Sequence, residues 1–146
     1  MATALCFARS TVGHCGMKDF IRSQWTKAAR SLAAAQAILA TDPDSSASRA
    51  YYAAFHGVTA VLAGRGMEFT KHTAVRVALH RDLIQVGLVP ADIGRDYDFL
   101  LDLRETADYG GVAEASLASA TKAIEKARAI LAAIEPLLPD VSAGTA

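Results

Sequence analysis

The chain has 146 residues, of which 52% are hydrophobic and only four are proline. A chain of this length can bury an adequate core as one domain, and its many alanines favour helices. Fifteen basic residues balance fifteen acidic ones, so no overall charge attracts nucleic acid or an anionic membrane. No stretch is long and apolar enough to span a bilayer, and two cysteines make no disulfide framework, so we expect a cytoplasmic protein.

The N-terminal stretch differs in pattern from the rest of the chain. Residues 1–16 show no sustained periodicity, whereas a well-patterned helix opens directly after Met17. We therefore predict that residues 1–16 are a flexible extension outside the fold. Met17 is either the natural start of the protein or the first residue after a disordered arm. Residues 139–146 are predicted to be a disordered tail, which leaves residues 17–138 as the folded domain.

Five amphipathic segments follow, separated by turns that contain proline or glycine, and no two strands are joined by a hairpin turn. The sequence therefore predicts an all-α fold, an antiparallel bundle of four long helices and one shorter helix. The predicted helices are 18–40, 44 or 45 to 63, 70–86, 90–109 and 112–135.

Apolar residues at helical spacing define the face of each helix that is predicted to be buried. The predicted buried faces are Tyr51, Phe55, Val58 and Leu62 on the second helix, Val75, Leu79, Leu83 and Val86 on the third, and Leu117, Ala120, Ile124, Ala127, Leu131 and Ile134 on the last.

The second helix carries a polar stripe beside its apolar one. Arg49, Tyr52 and His56 follow one another at intervals of three and four residues, so they lie on one face of the helix. This face is rotated away from the apolar stripe that contains Tyr51 and Phe55. Two adjacent tyrosines bracketed by an arginine and a histidine exceed what core packing requires, and the stripe is therefore a candidate site.

A second pattern near the end of the fourth helix combines Arg104, Asp108 and Tyr109. Because apolar residues precede Arg104 on the same face, we expect it to be partly buried. A buried arginine needs a carboxylate partner, and Asp108 is four residues away. Either the two patterns meet in one polar site, or they form a polar belt that only ties the helices together, with Tyr109 packed on Tyr52.

Missing motifs exclude several catalytic and cofactor sites. The chain has no Glu-x-x-His of a di-metal bundle, no P-loop, no dinucleotide-binding glycine motif and no Gly-x-Ser-x-Gly. We therefore expect no cofactor and no metal. His72 and His80 are interpreted as surface or capping residues rather than ligands.

Charged residues concentrate in two regions. A small basic cluster could contact a phosphate backbone, but a solvated helix face is the commoner explanation. The acidic stretch 92–108 could meet a basic partner or a second copy of the chain. The basic cluster consists of Arg65, Lys71, Arg76 and Arg81, with both of those histidines.

The polar patterns together resemble a known family. The segment Ser48–His56, the pair Lys71-His72 and the segment Arg104–Tyr109 closely resemble the HEPN family of small helical proteins. The resemblance is to single-domain prokaryotic members with a Tyr-Tyr-x-x-Phe-His helix and an Arg-x-x-x-Asp-Tyr helix end. It covers residues 17 to about 138 and implies a helical bundle, often a homodimer.

Many members of this family are encoded beside a minimal nucleotidyltransferase and form a toxin–antitoxin pair with it. The toxic members are metal-independent ribonucleases with an Arg-x(4–6)-His motif, and the partner silences them by attaching AMP to a nearby tyrosine. The resemblance thus implies a nucleotidyltransferase partner, RNA as a target and Tyr109 as the AMP acceptor. Metal-free cleavage is chemically reasonable, because histidine can move protons at the ribose while arginine stabilises the phosphorane charge.

This chain departs from the ribonuclease motif in one respect. After Arg104 the chain has Asp108 and Tyr109, and no histidine with four to six residues between it and the arginine. The spacing is matched elsewhere, by Arg49 with His56 and by Arg65 with His72.

We predict one polar site in which His56 acts as the base and two arginines hold the phosphate. Two alternatives remain: a non-catalytic module that binds a nucleotide or a protein, and a bundle whose polar belt is purely structural. The predicted catalytic residues are His56, Arg49, Arg104 and Asp108, and the predicted binding or modified residues are Tyr52 and Tyr109.

Overall fold

The computed structural model describes residues 13–109 and 115–140, and the side chains of residues 16–106 and 115–140. The described part contains five α-helices and no strand, which confirms the predicted all-α bundle. A π-helical turn, Leu79–Ile84, continues α3, and a 3-10 turn, Glu135–Leu137, follows α5. The α-helices are α1 Gly13–Ile38, α2 Pro43–Gly64, α3 His72–Ala78, α4 Ala91–Tyr109 and α5 Leu117–Ile134.

Helix α2 is the central element of the bundle. It packs most extensively against α1 and then against α5 and α4. Small residues make this possible, because Ala50, Ala53 and Ala54 are fully buried and let the neighbouring helices approach closely. At Gly57 an added Cβ would collide with Leu131 of α5. A side chain placed on α2 is therefore held by three neighbouring helices.

The start of α2 differs slightly from the predicted cap at Asp44 or Ser45. Asp42 caps the helix instead, accepting a hydrogen bond from the backbone N–H of Ser45 at 3.1 Å. Pro43 occupies the first helical position, where its missing N–H has no consequence. Beyond the far end of α2, Gly66 adopts a φ of +82°, which starts the connection to α3.

The predicted apolar face of α2 lies in the core. Tyr51 and Val58 are fully buried and Leu62 is nearly so, while Phe55 is half-buried against the same core. From the other helices the core receives mainly aliphatic residues, and Tyr97 of α4 packs beside Tyr51 with 5.8 Å between ring centroids.

The third predicted helix is shorter at its start and irregular at its end. It begins at His72, and the backbone N–H of Gln85 bonds to the carbonyl of His80, five residues earlier. A π-turn holds one extra residue, which rotates the following residues by about 100°. The prediction that Val86 points inward is therefore wrong, since Val86 is 62% exposed. Gly87, with a φ of +84°, follows this turn.

The last helix begins later than predicted. Ser116 caps α5 by accepting a hydrogen bond from the backbone N–H of Ser119. Leu117 is thus the first helical residue, and it is 54% exposed, so its predicted burial is wrong. Ala120 is the first residue of α5 in contact with the core.

Helix α1 begins at Gly13, four residues before Met17. Most of the predicted N-terminal extension and of the predicted tail lies outside the described residues, so the domain boundaries stay a prediction. Among the described helices, none is both long and apolar enough to cross a membrane.

Candidate functional site

Arg104 of α4 meets the two adjacent tyrosines of α2. Its Nη2 donates a hydrogen bond to the Tyr52 hydroxyl at 3.1 Å. The guanidinium carbon lies 5.5 Å from the ring centroid of Tyr52 and 5.5 Å from that of Tyr51, within the range of cation–π attraction. Arg104 and Tyr52, which the sequence assigned to two separate patterns, are therefore in direct contact.

His56 is tied to α1 as well as to this cluster. Its Nδ1 lies 2.8 Å from Oε1 of Gln24, a buried polar residue of α1. Its ring centroid is 6.2 Å from that of Tyr52. Burial lowers the pKa of His56, and the charges of Lys27 and His72 lower it further. His56 is therefore predominantly neutral at pH 7, as a proton acceptor must be.

The interpretation of His72 as a surface or capping residue is wrong, because its ring is half-buried against α2. Its ring stacks on Phe55 with 4.2 Å between centroids, and its Nδ1 lies 2.8 Å from the hydroxyl of Tyr51. The connection after α2 brings the first residue of α3 back over α2, which places the ring against these aromatic side chains. Burial lowers the pKa of His72, and the charge of Arg104 lowers it further.

These side chains form one group, called here the aromatic–cation cluster. Its residues lie on α2, at the start of α3 and in the last third of α4. Three of its members are half-buried aromatic or histidine side chains of α2, and Tyr51 is the fully buried residue at its base. The cluster consists of Tyr51, Tyr52, Phe55, His56, His72 and Arg104.

A buried tyrosine lies beneath the cluster. Tyr97 is fully buried, and its hydroxyl makes no hydrogen bond with another described residue. Burial raises the pKa of Tyr97 well above its ordinary value, and burial also raises the pKa of Tyr51. Both phenols therefore stay protonated across the physiological range, so Tyr51 keeps a proton that it can donate.

Of the other predicted site residues, Arg49 is not joined to the cluster, and the side chains of Asp108 and Tyr109 are not described. Arg49 is exposed, and it forms no hydrogen bond or ion pair with another described residue. Asp108 and Tyr109 belong to the last turn of α4, but their side chains lie outside the described residues. Their assignment as site residues stays a prediction.

A second group of polar residues, called here the Asp98 cluster, joins α3 to α4. The same carboxylate oxygen of Asp98 lies 2.7 Å from Nε of Arg76 and 3.1 Å from Nε2 of His80. Burial would raise the pKa of Asp98, but the hydrogen bonds from Arg76 and His80 outweigh it and lower the pKa. Arg81 pairs with Asp82. Two of the four arginine and lysine side chains of the basic cluster, Arg76 and Arg81, are thus paired with carboxylates.

The sequence did not predict His72 as a cluster residue, or Gln24 as the hydrogen-bond partner of His56. Gln24 leaves a detectable signal, because it interrupts an apolar stripe on α1 between Ile21 and Ala28. No pattern in the sequence indicates that His72 is buried, since its burial depends on the path of the loop before α3. Among the described side chains, no group of three or more potential metal ligands is close enough to hold a metal ion.

The arrangement combines one guanidinium, two neutral histidines and several aromatic faces. A guanidinium is suited to a phosphate group, and aromatic faces are suited to unstacked bases. Proton transfer by neutral histidine needs no metal. The cluster therefore has the chemical groups required for recognising a phosphate ester.

Comparison with known proteins agrees with the resemblance in the sequence. The family model described as the HEPN domain matches residues 21–137. A protein of Thermotoga maritima named "UPF0332 protein" is 34% identical over 126 residues, which are 85% of this chain and 96% of the relative. The family model, which matches residues 21–137, spans α2, α3 and α4 and therefore includes the whole aromatic–cation cluster. On this evidence the chain belongs to the HEPN domain family.

Proposed function

We propose that this HEPN-domain protein binds RNA at the aromatic–cation cluster and cleaves it without a metal ion. We further propose that it acts in the cytoplasm as the toxin-type member of a pair with a minimal nucleotidyltransferase. One observation carries the proposal: Arg104 is held over the two adjacent tyrosines and acts on His72, and His56 packs against one of those tyrosines, Tyr52.

The cleavage step follows from the groups present. His56 takes the proton of the ribose 2′-hydroxyl through Nε2, since its Nδ1 is occupied by Gln24. The 2′-oxygen then bonds to phosphorus and the bond from phosphorus to the 5′-oxygen breaks. The leaving oxygen takes up a proton from water, which leaves a 2′,3′-cyclic phosphate and a 5′-hydroxyl. Arg104 stabilises the negative charge that builds up on the phosphorane.

The remaining predicted residues have defined places in this proposal. Arg49 is one helical turn from Tyr52 and is exposed, so it would contact a phosphate outside the cluster. Asp108 would orient Arg104, and Tyr109 would accept AMP from the nucleotidyltransferase. A homodimer is also expected, as the family resemblance implies.

The decisive experiment measures RNA cleavage by the purified full chain in the presence of EDTA. We expect shortened RNA with 2′,3′-cyclic phosphate ends, and about a hundredfold lower rate for His56→Asn and Arg104→Ala. His80→Asn and Arg95→Ala are matched controls, because these residues lie outside the cluster and are held by Asp98 and Asp92. Intact RNA with the folded wild-type protein would rule out cleavage.

The partner is tested separately. The chain is co-expressed with a nucleotidyltransferase encoded next to it, and its intact mass is measured. An increase of one AMP, lost in Tyr109→Phe, supports the pair; an unchanged mass argues against it. Expression of the chain alone should arrest growth, and co-expression should restore it.

A second candidate function is a non-catalytic module that binds a nucleotide or a protein. It is favoured by the absence of a histidine four to six residues after Arg104. This alternative predicts saturable binding of a mononucleotide that depends on Arg104, with RNA left intact.

A further inference from the structure

We infer that His72 is a phosphate ligand that acts as a neutral hydrogen-bond donor through Nε2, and that the Tyr51 hydroxyl fixes the ring in this tautomer. The ligand is a phosphodiester, bound beside Arg104. This inference rests on the proposed function, because it specifies how the same cluster holds the phosphate.

The tautomer follows from the hydrogen bond between Tyr51 and His72. A neutral imidazole carries its proton on one nitrogen and accepts at the other. Nδ1 of His72 is 2.8 Å from the Tyr51 hydroxyl. Among the described residues, Nδ1 of His72 is the acceptor that lies within hydrogen-bond distance of this hydroxyl. Tyr51 therefore donates to Nδ1, and the proton of His72 is on Nε2.

His56 is held in the opposite tautomer. Its Nδ1 faces Oε1 of Gln24, which can only accept a hydrogen bond, so Nδ1 carries the proton and Nε2 carries the lone pair. The two histidines thus present different groups to a ligand. His56 offers an acceptor for a proton, whereas His72 offers an N–H donor for an anionic oxygen. Gln24 and Tyr51 are the positioning residues.

The surroundings of His72 suit a neutral donor. The flat stack on Phe55, with planes 16° apart, restrains the ring, and Nε2 has no hydrogen-bond partner among the described residues. Among the described residues, the charged groups that act on Tyr51 and His72 are Arg104 and Glu105 of α4. Burial and the charge of Arg104 both disfavour a positive charge on His72, so His72 remains neutral. A phosphate then receives one charged donor and one neutral donor.

The test combines nitrogen NMR with binding of a probe that cannot be cleaved. Long-range proton–nitrogen spectra of the full chain at pH 7.5 report the tautomer of each histidine, with His72→Asn and His56→Asn for assignment. Thymidylyl-(3′,5′)-thymidine serves as the probe, because it has a phosphodiester but no 2′-hydroxyl. We expect the N–H of His72 on Nε2, that of His56 on Nδ1, and a shift of the His72 Nε2 resonance when the probe binds.

Tyr51→Phe removes only the hydroxyl. It should convert His72 to a mixture of tautomers and weaken probe binding about three- to tenfold, the range of one neutral hydrogen bond. Tyr97→Phe is the comparison: its hydroxyl neighbours that of Tyr51 but is not hydrogen-bonded to His72, so probe binding should weaken less than in Tyr51→Phe. Affinity for the wild type should stay constant between pH 7 and 8.5, whereas a protonated histidine ligand would lose about tenfold per pH unit.

The outcomes separate this inference from the proposed function. A proton on Nδ1 of His72, a probe that leaves its Nε2 unshifted, or no probe binding overturns the inference, even if RNA is cleaved. If the probe shifts the His72 Nε2 resonance but RNA stays intact, the inference is supported and cleavage is rejected. Circular dichroism of Tyr51→Phe and Tyr97→Phe shows whether both variants are folded, and His72→Asn provides a second reduction of affinity that does not depend on Tyr51.

Discussion

Two clusters that include residues of α4 use the same residue types for different purposes. The Asp98 cluster and the aromatic–cation cluster each contain one arginine and at least one histidine. In the first, a single carboxylate oxygen accepts from both basic residues. In the second, the histidines are hydrogen-bonded to a phenol and an amide. The partner, rather than the arginine or the histidine, therefore decides the chemistry of each cluster.

The difference is electrostatic. In the Asp98 cluster the carboxylate balances positive charge, and its members are partly exposed, so we expect a small contribution to stability of about 0–1 kcal/mol. In the aromatic–cation cluster, burial lowers the pKa of both histidines, and Arg104 lowers that of His72 further. In the aromatic–cation cluster Arg104 lies against two tyrosine rings and His72 is neutral, whereas in the Asp98 cluster Arg76 and His80 share one carboxylate oxygen.

The largest expected effect comes from removing the arginine of each cluster. Arg104→Ala should lower RNA cleavage at least a hundredfold, because it deletes the group that stabilises the transition-state charge. Arg76→Ala should leave the rate unchanged and alter stability by no more than about 1 kcal/mol. Single-turnover cleavage and urea unfolding of both variants provide the comparison. Equal loss of activity in the two variants would mean that the clusters are not distinct.

The second prediction concerns the close contact between α4 and the π-turn. A Cβ on Gly94 would lie 2.6 Å from Cδ1 of Ile84 and 2.7 Å from Cε1 of His80. We expect Gly94→Ala to destabilise the protein by about 1–2 kcal/mol, since overpacking exceeds the gain in helix propensity. Gly16→Ala is the control, because no described residue lies within 4 Å of its Cβ, and it should be neutral or stabilising. Urea midpoints with unchanged m-values would measure both; a stabilised Gly94→Ala would contradict the packing argument.

The third prediction is a difference in pH dependence. The pKa of His56 and that of His72 are lowered on folding, so the unfolded chain binds more protons once the pH falls below about 6.5. Stability should therefore decrease from about pH 7 downwards. The lowered pKa of Asp98 acts in a different range: its contribution is complete above about pH 4 and is lost as the pH falls through the folded pKa.

Unfolding measured from pH 8 to pH 3 tests this difference. The double variant with His56→Asn and His72→Asn should remove the decrease between pH 7 and 5. Asp98→Asn should instead flatten the plot of unfolding free energy against pH only below about pH 4. A wild-type curve that is flat between pH 7 and 5 would show that the two histidines are not desolvated in the folded protein.

The smallest effect is expected at Arg49. It is exposed and outside the aromatic–cation cluster, so Arg49→Ala should weaken RNA binding by no more than about fivefold and leave the cleavage rate of bound RNA unchanged. Binding at low and high salt measures this effect, which should disappear at high salt. A loss as large as that of Arg104→Ala would place Arg49 within the site.

Much of the fold could be predicted from the sequence. Apolar residues at intervals of three and four, with proline and glycine between the segments, specify five helices, and burial of Tyr51, Val58 and Leu62 follows from the same pattern. The errors at Val86 and Leu117 have local causes. A π-turn changed the phase of the helix before Val86, and a serine cap shifted the start of α5 to Leu117.

The candidate site could be predicted only in part. The sequence identified Tyr52, His56 and Arg104, because polar residues on helical stripes are visible as a pattern. It could not identify His72, since stacking on Phe55 depends on where a loop returns. The contact between Arg104 and both tyrosine rings also depends on the packing of α4 against α2.

The sequence by itself determined the helices, the central apolar face of α2 and the membership of the chain in the HEPN domain family, because these depend on local periodicity and on motifs within one helix. Tertiary structure alone decided which arginine faces aromatic rings and which faces a carboxylate, and which nitrogen of each histidine is occupied. Those properties depend on contacts between residues that are distant in the chain, such as Gln24 with His56 and Tyr51 with His72. Burial in the assembled bundle then sets the charge of the histidines, and no single helix can do so.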